Sequence, residues 1–203
     1  GRDDLLLEAS LCLLRIYAER DEVHSVDQLQ QKLQARFLSG KIQPTSKSFY
    51  TLALCADFQK RYTEALEHLE QALALAVANQ QNRDLAYALF GLARVLRTLK
   101  SFDSSNEKLA QLKTLLEVLK LPSLEISYMF LQTNVLREQK KYDECLDCLN
   151  RVSDLNIGEK SFLVSLILNV QMGLIYIDKQ DFTYAKIYLD LARRNIDVTE
   201  QVR

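Results

Sequence analysis

Apolar residues recur along this chain at the three-to-four spacing that puts them on one face of a helix, not at the alternation a half-buried strand requires. Residues 61–72 carry Tyr62, Ala65, Leu66, Leu69 and Ala72 on such a face, with Glu64, Glu67 and Glu70 between them. Related patterns fill residues 101–109, 141–149 and 181–192. Each is preceded by another helical stripe. These are Phe49, Leu52, Ala53 and Ala56; then Leu89, Leu92, Ala93 and Leu96; then Met129, Thr133 and Leu136; then Met172, Gly173 and Tyr176. Polar stretches such as Gln59-Lys60-Arg61 and Gln139-Lys140-Lys141 divide the members of a pair, so each unit reads as helix A, a tight turn and helix B. Residues 5–17 and 26–38 form a less regular pair upstream, joined by Glu19-Arg20-Asp21-Glu22, with Gly40 and Pro44 as helix stop and restart. Pro122 restarts the third unit, and Asn156-Ile157-Gly158 is expected to be the loop before the fourth. About ten helices are predicted.

The second helices share one register. Their aromatic anchors, Tyr62, Phe102, Tyr142 and Phe182, follow at a constant spacing of 40 residues, and all four are expected in the core. Three residues after each anchor stands a small side chain (Ala65, Ser105, Cys145, Ala185), and four after that a leucine (Leu69, Leu109, Leu149, Leu189). The two positions lie one turn apart on one face, so the small residue admits a neighbouring backbone and the leucine fills the space beyond it. A lone helix pair cannot bury its apolar face, so the units must stack.

This pattern resembles the tetratricopeptide repeat, with W-x2-L-G-x2-Y on helix A and A-x3-F on helix B. Met172-Gly173-x2-Tyr176 followed by Ala185-x3-Leu189 is the best copy, and the resemblance covers residues 45–195. The chain departs from the family in having no Trp, in placing Asn169 four before the glycine, and in its period of 40 where the family has about 34. Six extra residues over two helices lengthen each by about 4.5 Å. Long repeats of this sort resemble those of bacterial response-regulator aspartate phosphatases, of sensor modules in large transcription activators and of eukaryotic adaptors. The resemblance implies an all-α fold, an α-solenoid of stacked antiparallel helix pairs wound as a right-handed superhelix. Residues 1–44 are then an N-terminal degenerate pair, and 45–203 form four repeats, at 46–85, 86–125, 126–165 and 166–203, in one continuous solenoid.

Composition narrows the chemistry. Five glycines and two prolines in 203 residues leave too few turn formers for a strand-rich fold and no clustered glycines to cradle a phosphate. Lys and Arg number 26 against 27 Asp and Glu, which recommends neither a nucleic acid nor an anionic membrane as partner. The four cysteines lie in apolar helical stretches of a chain that opens without a signal-peptide pattern, so a soluble protein in a reducing, cytoplasmic setting is expected. The chain starts at Gly1 and runs directly into Leu5-Leu6-Leu7, so it is expected to be a piece of something longer. Residues 195–203 are expected to begin a polar cap or to lead into a further domain.

Helix A should line the inner surface of the stack. Projected on that face are Lys47, Tyr50, Leu54 and Asp57, then Tyr87, Phe90, Arg94 and Arg97, then Ser127, Phe130, Asn134 and Arg137, then Ile167, Val170, Gln171 and Leu174. Arg94 and Arg97 recur as Asn134 and Arg137 one unit later. Guanidinium groups can bind carboxylates bidentately and an Asn amide can hold a peptide group at both ends. By resemblance, Asn134 is the side chain most expected to clamp a bound chain. The expected peptide-binding set is Tyr87, Phe90, Arg94, Arg97, Phe130, Asn134, Arg137 and Gln171. Alternatively the arginines pair with Asp57, Glu138 or other acids on a solvated face.

Cys145-x-x-Cys148 lacks the second ligand pair a metal site needs, and Cys145 holds the small packing position, so both cysteines read as buried structural residues. His68, among Glu67 and Glu70, is expected to face solvent. No catalytic cluster, metal site or cofactor site can be assembled. Leu115, Leu116, Leu119 and Leu121 either pack on the next helix A or form an apolar strip for a homodimer. The expected function is a non-enzymatic scaffold or adaptor that binds a protein or peptide segment of acidic character in its concave groove, without nucleic acid or membrane. The alternative is a sensory or regulatory module of a larger signalling or transcription-regulating protein, binding a peptide signal.

Overall fold

The structure, a computed structural model, describes residues 2–159 and 161–201. Ten helices follow one another among them: α1 (Arg2–Glu19), α2 (Val23–Leu38), α3 (Ser46–Phe58), α4 (Tyr62–Ala78), α5 (Asn82–Thr98), α6 (Phe102–Leu119), α7 (Pro122–Glu138), α8 (Tyr142–Glu159), α9 (Phe162–Asp178) and α10 (Phe182–Gln201). This is the expected all-α repeat architecture of the solenoid class. The chain divides into two compact units, Gly1–Leu119 and Lys120–Arg203. In the first, α3 packs on α1, α4 and α5, and α5 on α6; in the second, α7 pairs with α8, α8 with α9 and α9 with α10.

One backbone device ends most of these helices. Lys60 lies at φ 60°, its N–H donating to the Asp57 carbonyl at 2.9 Å, while the N–H of Arg61 reaches back to Ala56 at 2.8 Å. This double bond is the Schellman cap, which satisfies the carbonyls a helix end leaves open. It recurs at Gln80, Lys100, Lys140 and Gln180, and Lys120, in the same 20-residue series, also has positive φ. Glycine is the usual residue there. Its scarcity meant that the turns were legible but their left-handed conformation was not.

The paired helices approach as the spacing predicts. Ser105 Oγ donates to the Ala93 carbonyl at 2.8 Å, and one period later Cys145 Sγ reaches the Thr133 carbonyl at 3.4 Å. Ala65, Ser105, Cys145 and Ala185 are all buried, so the small residue does bring helix B against the backbone of helix A. Cys148 is only half-buried. Each aromatic anchor is the first residue of its helix B, so the ring seals the corner of its pair: Tyr62 and Tyr142 pack against the core and Phe102 is half-buried, whereas Phe182, expected in the core, is 67% exposed.

His68 is not solvent-facing: its side chain is 12% exposed and its ring stacks on Phe49 at 6.0 Å across the α3–α4 pair. Asn156-Ile157-Gly158 is not a loop but lies in the last turns of α8. The buried Asn156 side chain fastens the following turn. Its Nδ2 donates to the Ser161 carbonyl and Ser165 Oγ at 3.2 and 2.8 Å, and its Oδ1 accepts the Ser161 N–H at 2.9 Å. The restart credited to Pro44 belongs to Thr45, whose hydroxyl accepts the Ser48 N–H in a reciprocal capping box. Residues 195–201 continue α10, and 202–203 lie outside the described residues. Leu116 is buried and Leu115, Leu119 and Leu121 half-buried, so these leucines form no exposed strip.

Replacing the exposed Lys100 with Gly should relieve its left-handed backbone and stabilise the chain by about 0.5–1 kcal/mol, read as a higher urea midpoint. Asn156→Ala should cost about 0.5–1.5 kcal/mol in the same assay, because the half-buried Ser161 N–H and Ser165 hydroxyl lose their Asn156 partners. A third test concerns Cys55 and Cys145, whose burial pushes each thiol from 9.0 to about 11. The fold keeps these protons while the unfolded chain sheds them, so stability should fall as pH rises from 9 to about 11. Cys145→Ala, the residue found at that place in α4 and α10, should make the decline shallower.

The helix A face and its cleft

The first helices of successive pairs lie side by side in the first unit, α3 against both α1 and α5. Between them opens a cleft of about 570 Å³, within the range of roughly 300–1,000 Å³ that ligand pockets occupy. Leu11 of α1, Tyr50 and Leu54 of α3 and Tyr87 of α5 supply its apolar surface. The Tyr50 and Tyr87 rings meet at 5.9 Å and 57°, a tilted pair that bridges α3 and α5. Charges of both signs surround them: Lys47 pairs with Glu8 at 2.5 Å, and Arg83 and Asp84 stand in the first turn of α5. The Lys47–Glu8 pair is more than half exposed on both sides, so it holds little energy and can open to a ligand.

Four residues projected onto the inner face, Lys47, Tyr50, Leu54 and Tyr87, thus line one cleft. Glu8, Leu11 and Cys12 of α1, Ser46 and Thr51 of α3, and Arg83 and Asp84 of α5 were missed. The α1 residues could have been found by carrying the projection back one unit, since the turn at Asp21 matches the turn at Lys60. Phe90 is half-buried further along α5.

The arginines meet a different fate from one another. Arg94 pairs with Asp57 at 2.7 Å across α3 and α5, as the solvated-face alternative holds. Arg137 makes a two-pronged bond to Asp178, at 2.5 Å from Nε and 3.2 Å from the guanidinium end, rather than pairing with Glu138. That bond raises the Arg137 pKa still further. Arg97 has no ion pair among the described residues, and its enclosed Nε has no hydrogen-bond partner. Arg94 and Arg97 belong to the first unit, Asn134 and Arg137 to the second. Asn134 is half-buried on α7, Phe130 packs on the core of the second unit, and Gln171 on α9 encloses an Oε1 without a partner.

Among the described residues, no group of His, Cys, Asp and Glu could hold a metal ion, and no helix is long and apolar enough to cross a membrane.

Residues 46–77, which span α3 and α4, match the tetratricopeptide repeat family. The fold is similar to that of the nearly identical TPR-like repeats of a Podosopora anserina protein assigned as a kinesin light chain. There the TM-score is 0.71 at 18% identity, covering 95% of this chain and 96% of that one. A single-substitution variant of that protein gives 0.73 at 17% identity, covering 96% of both chains. BtubC (BKLC) from P. vanneervenii gives 0.69 at 16% identity, covering 98% of this chain and 91% of that one. No curated protein matches the sequence.

Proposed function

We infer that this tetratricopeptide-type repeat protein is a binding module and not an enzyme, and that it holds a segment of another protein against its helix A face. The observation that carries this reading is the cleft between α1, α3 and α5, with an aromatic pair beside charges of both signs. Such a surface suits a peptide. The rings give burial, while Lys47, Arg83, Glu8 and Asp84 offer bonds to a backbone and to side chains of either sign. Repeat folds of this kind generally mediate protein–protein contact, which makes a scaffold or adaptor the natural role.

The ligand's acidic character rests on less than the sequence promised. Arg94 and Arg137 already satisfy Asp57 and Asp178, and a ligand carboxylate would have to displace those partners. Arg97 in the first unit remains as a cation for an acidic residue. In the second unit, Phe130, Asn134 and Gln171 are the side chains we assign to ligand contact, the amides serving a peptide backbone. None of the four cysteines is in a disulfide, which fits a cytoplasmic setting.

Selection from a displayed peptide library tests the proposal. The chain should enrich peptides with a shared motif, and Tyr87→Ala should weaken the selected peptides roughly tenfold or more, as expected for an aromatic contact. The exposed Arg83→Glu should shift the charge preference without changing the helical circular dichroism. Peptides that bind both variants as tightly as the parent, or a selection without any motif, would move binding off this cleft.

A further inference from the structure

The place in the repeat that Gly91 occupies carries a side chain in the other repeats: Thr51 on α3, Leu131 on α7 and Gln171 on α9, each 40 residues from the next or from Gly91. Thr51 and Leu131 are buried there. Gly91 stands inside α5 (Asn82–Thr98), where glycine is a worse helix former than any residue but proline. Nor is it the position on helix A against which the small residue of helix B lies. That position is Ala93 on α5 and Thr133 on α7, whose carbonyls accept from Ser105 and Cys145. Neither helix propensity nor the pairing of helices A and B therefore accounts for a glycine at 91.

The side chains that fill the vacant space do account for it. A Cβ on Gly91 would stand 3.2 Å from Tyr50 Cε2, and 2.5 and 3.4 Å from the two δ carbons of Leu69. Two side chains thus meet over bare α5 backbone, Leu69 from the core and the Tyr50 ring from the cleft. Tyr87, one turn before Gly91 on the same helix, closes on that ring at 5.9 Å and 57°. Leu69 is 2% exposed, held among Ala53, Ala56, Leu92 and Val95, whereas Tyr50 is half-buried and lines the open cleft. Carbon atoms rest about 3.5–4.0 Å apart, so with a side chain at 91 the ring must give by a few tenths of an ångström, and the cleft is the side with room. We propose that Gly91 is a positioning residue of the cleft. Its bare backbone seats the Tyr50 ring against α5, and so fixes the gap between the two rings and the width of the space that a peptide side chain enters. Gly91 does not itself line the cleft and acts through Tyr50. The binding half of this proposal rests on the cleft as the peptide site; the seat of the ring is a property of the protein without ligand.

Gly91→Ala alone also presses on Leu69, so the test is made in Leu69→Val, which removes both δ carbons and leaves the Tyr50 contact. All nine tyrosines are replaced by fluorotyrosine, and the Tyr50 line is identified by its loss in Tyr50→Leu. In the fluorine NMR spectrum of the ligand-free protein, adding Gly91→Ala to Leu69→Val should displace the Tyr50 line. A line that stays in place overturns the proposal. The second readout is affinity for a motif peptide that the parent enriches from the displayed library. Gly91→Ala should weaken that peptide about fivefold or more in Leu69→Val, and less than about twofold once Tyr50→Leu is also present. A merely structural role would weaken it equally with and without the ring, and that result overturns the proposal. So does an affinity that Gly91→Ala leaves unchanged while Tyr87→Ala lowers it. If neither substitution changes affinity, the cleft is not the peptide site: the binding half of the proposal falls with that reading, and the spectrum alone decides the seat of the ring.

Discussion

A hairpin of two long helices has more apolar surface than its two members can hide from each other, and the rest of this structure follows from that surplus. Leu69 shows it well. It lies one turn beyond Ala65, whose small side chain faces the partner helix, yet its own side chain is covered by Gly91, Leu92 and Val95 of the following pair. Each pair therefore depends on the next for part of its core. Stability spreads along neighbours.

The same constraint makes the cleft. Because α3 must lie against α1 on one side and α5 on the other, these three first helices form a row in the first unit, and their remaining face is free of core duties. Tyr50 and Tyr87 then do two things at once: they bridge α3 and α5, and they present ring surface to the space between. Charges stand around them because that face meets water. The binding surface is thus what remains of helix A once packing has taken the other faces.

Helix ends control how well this works. A cap at Lys60 that recurs at Gln80, Lys100, Lys140 and Gln180 keeps successive helices the same length, so that each unit repeats the geometry of the last. From α4 to α9 the helices have 17 or 18 residues. The six residues this chain adds to the usual repeat are shared between both helices, since the turns fall every 20 residues. Where the turn chemistry differs, a side chain takes over: Asn156 ties the end of α8 to the start of α9, and Thr45 with Ser48 starts α3.

The sequence alone determined the elements and their pairing, because helix periodicity and a 40-residue spacing are local patterns written in residue size and polarity. Ala65, Ser105, Cys145 and Ala185 could be read as packing positions for that reason, and the structure buries all four. Much of the candidate site was legible as a face, since Lys47, Tyr50, Leu54 and Tyr87 follow from projection on a helix. Only the tertiary structure decided which charges were already spoken for. Arg94 finds Asp57 and Arg137 finds Asp178 through contacts between different helices, and no pattern along the chain specifies the rotamers that bring those groups together. The largely enclosed ring of His68 and the exposure of Leu13 and Leu189 were hidden for the same reason: exposure belongs to what packs against a residue, and the residue's own neighbours in sequence do not record it.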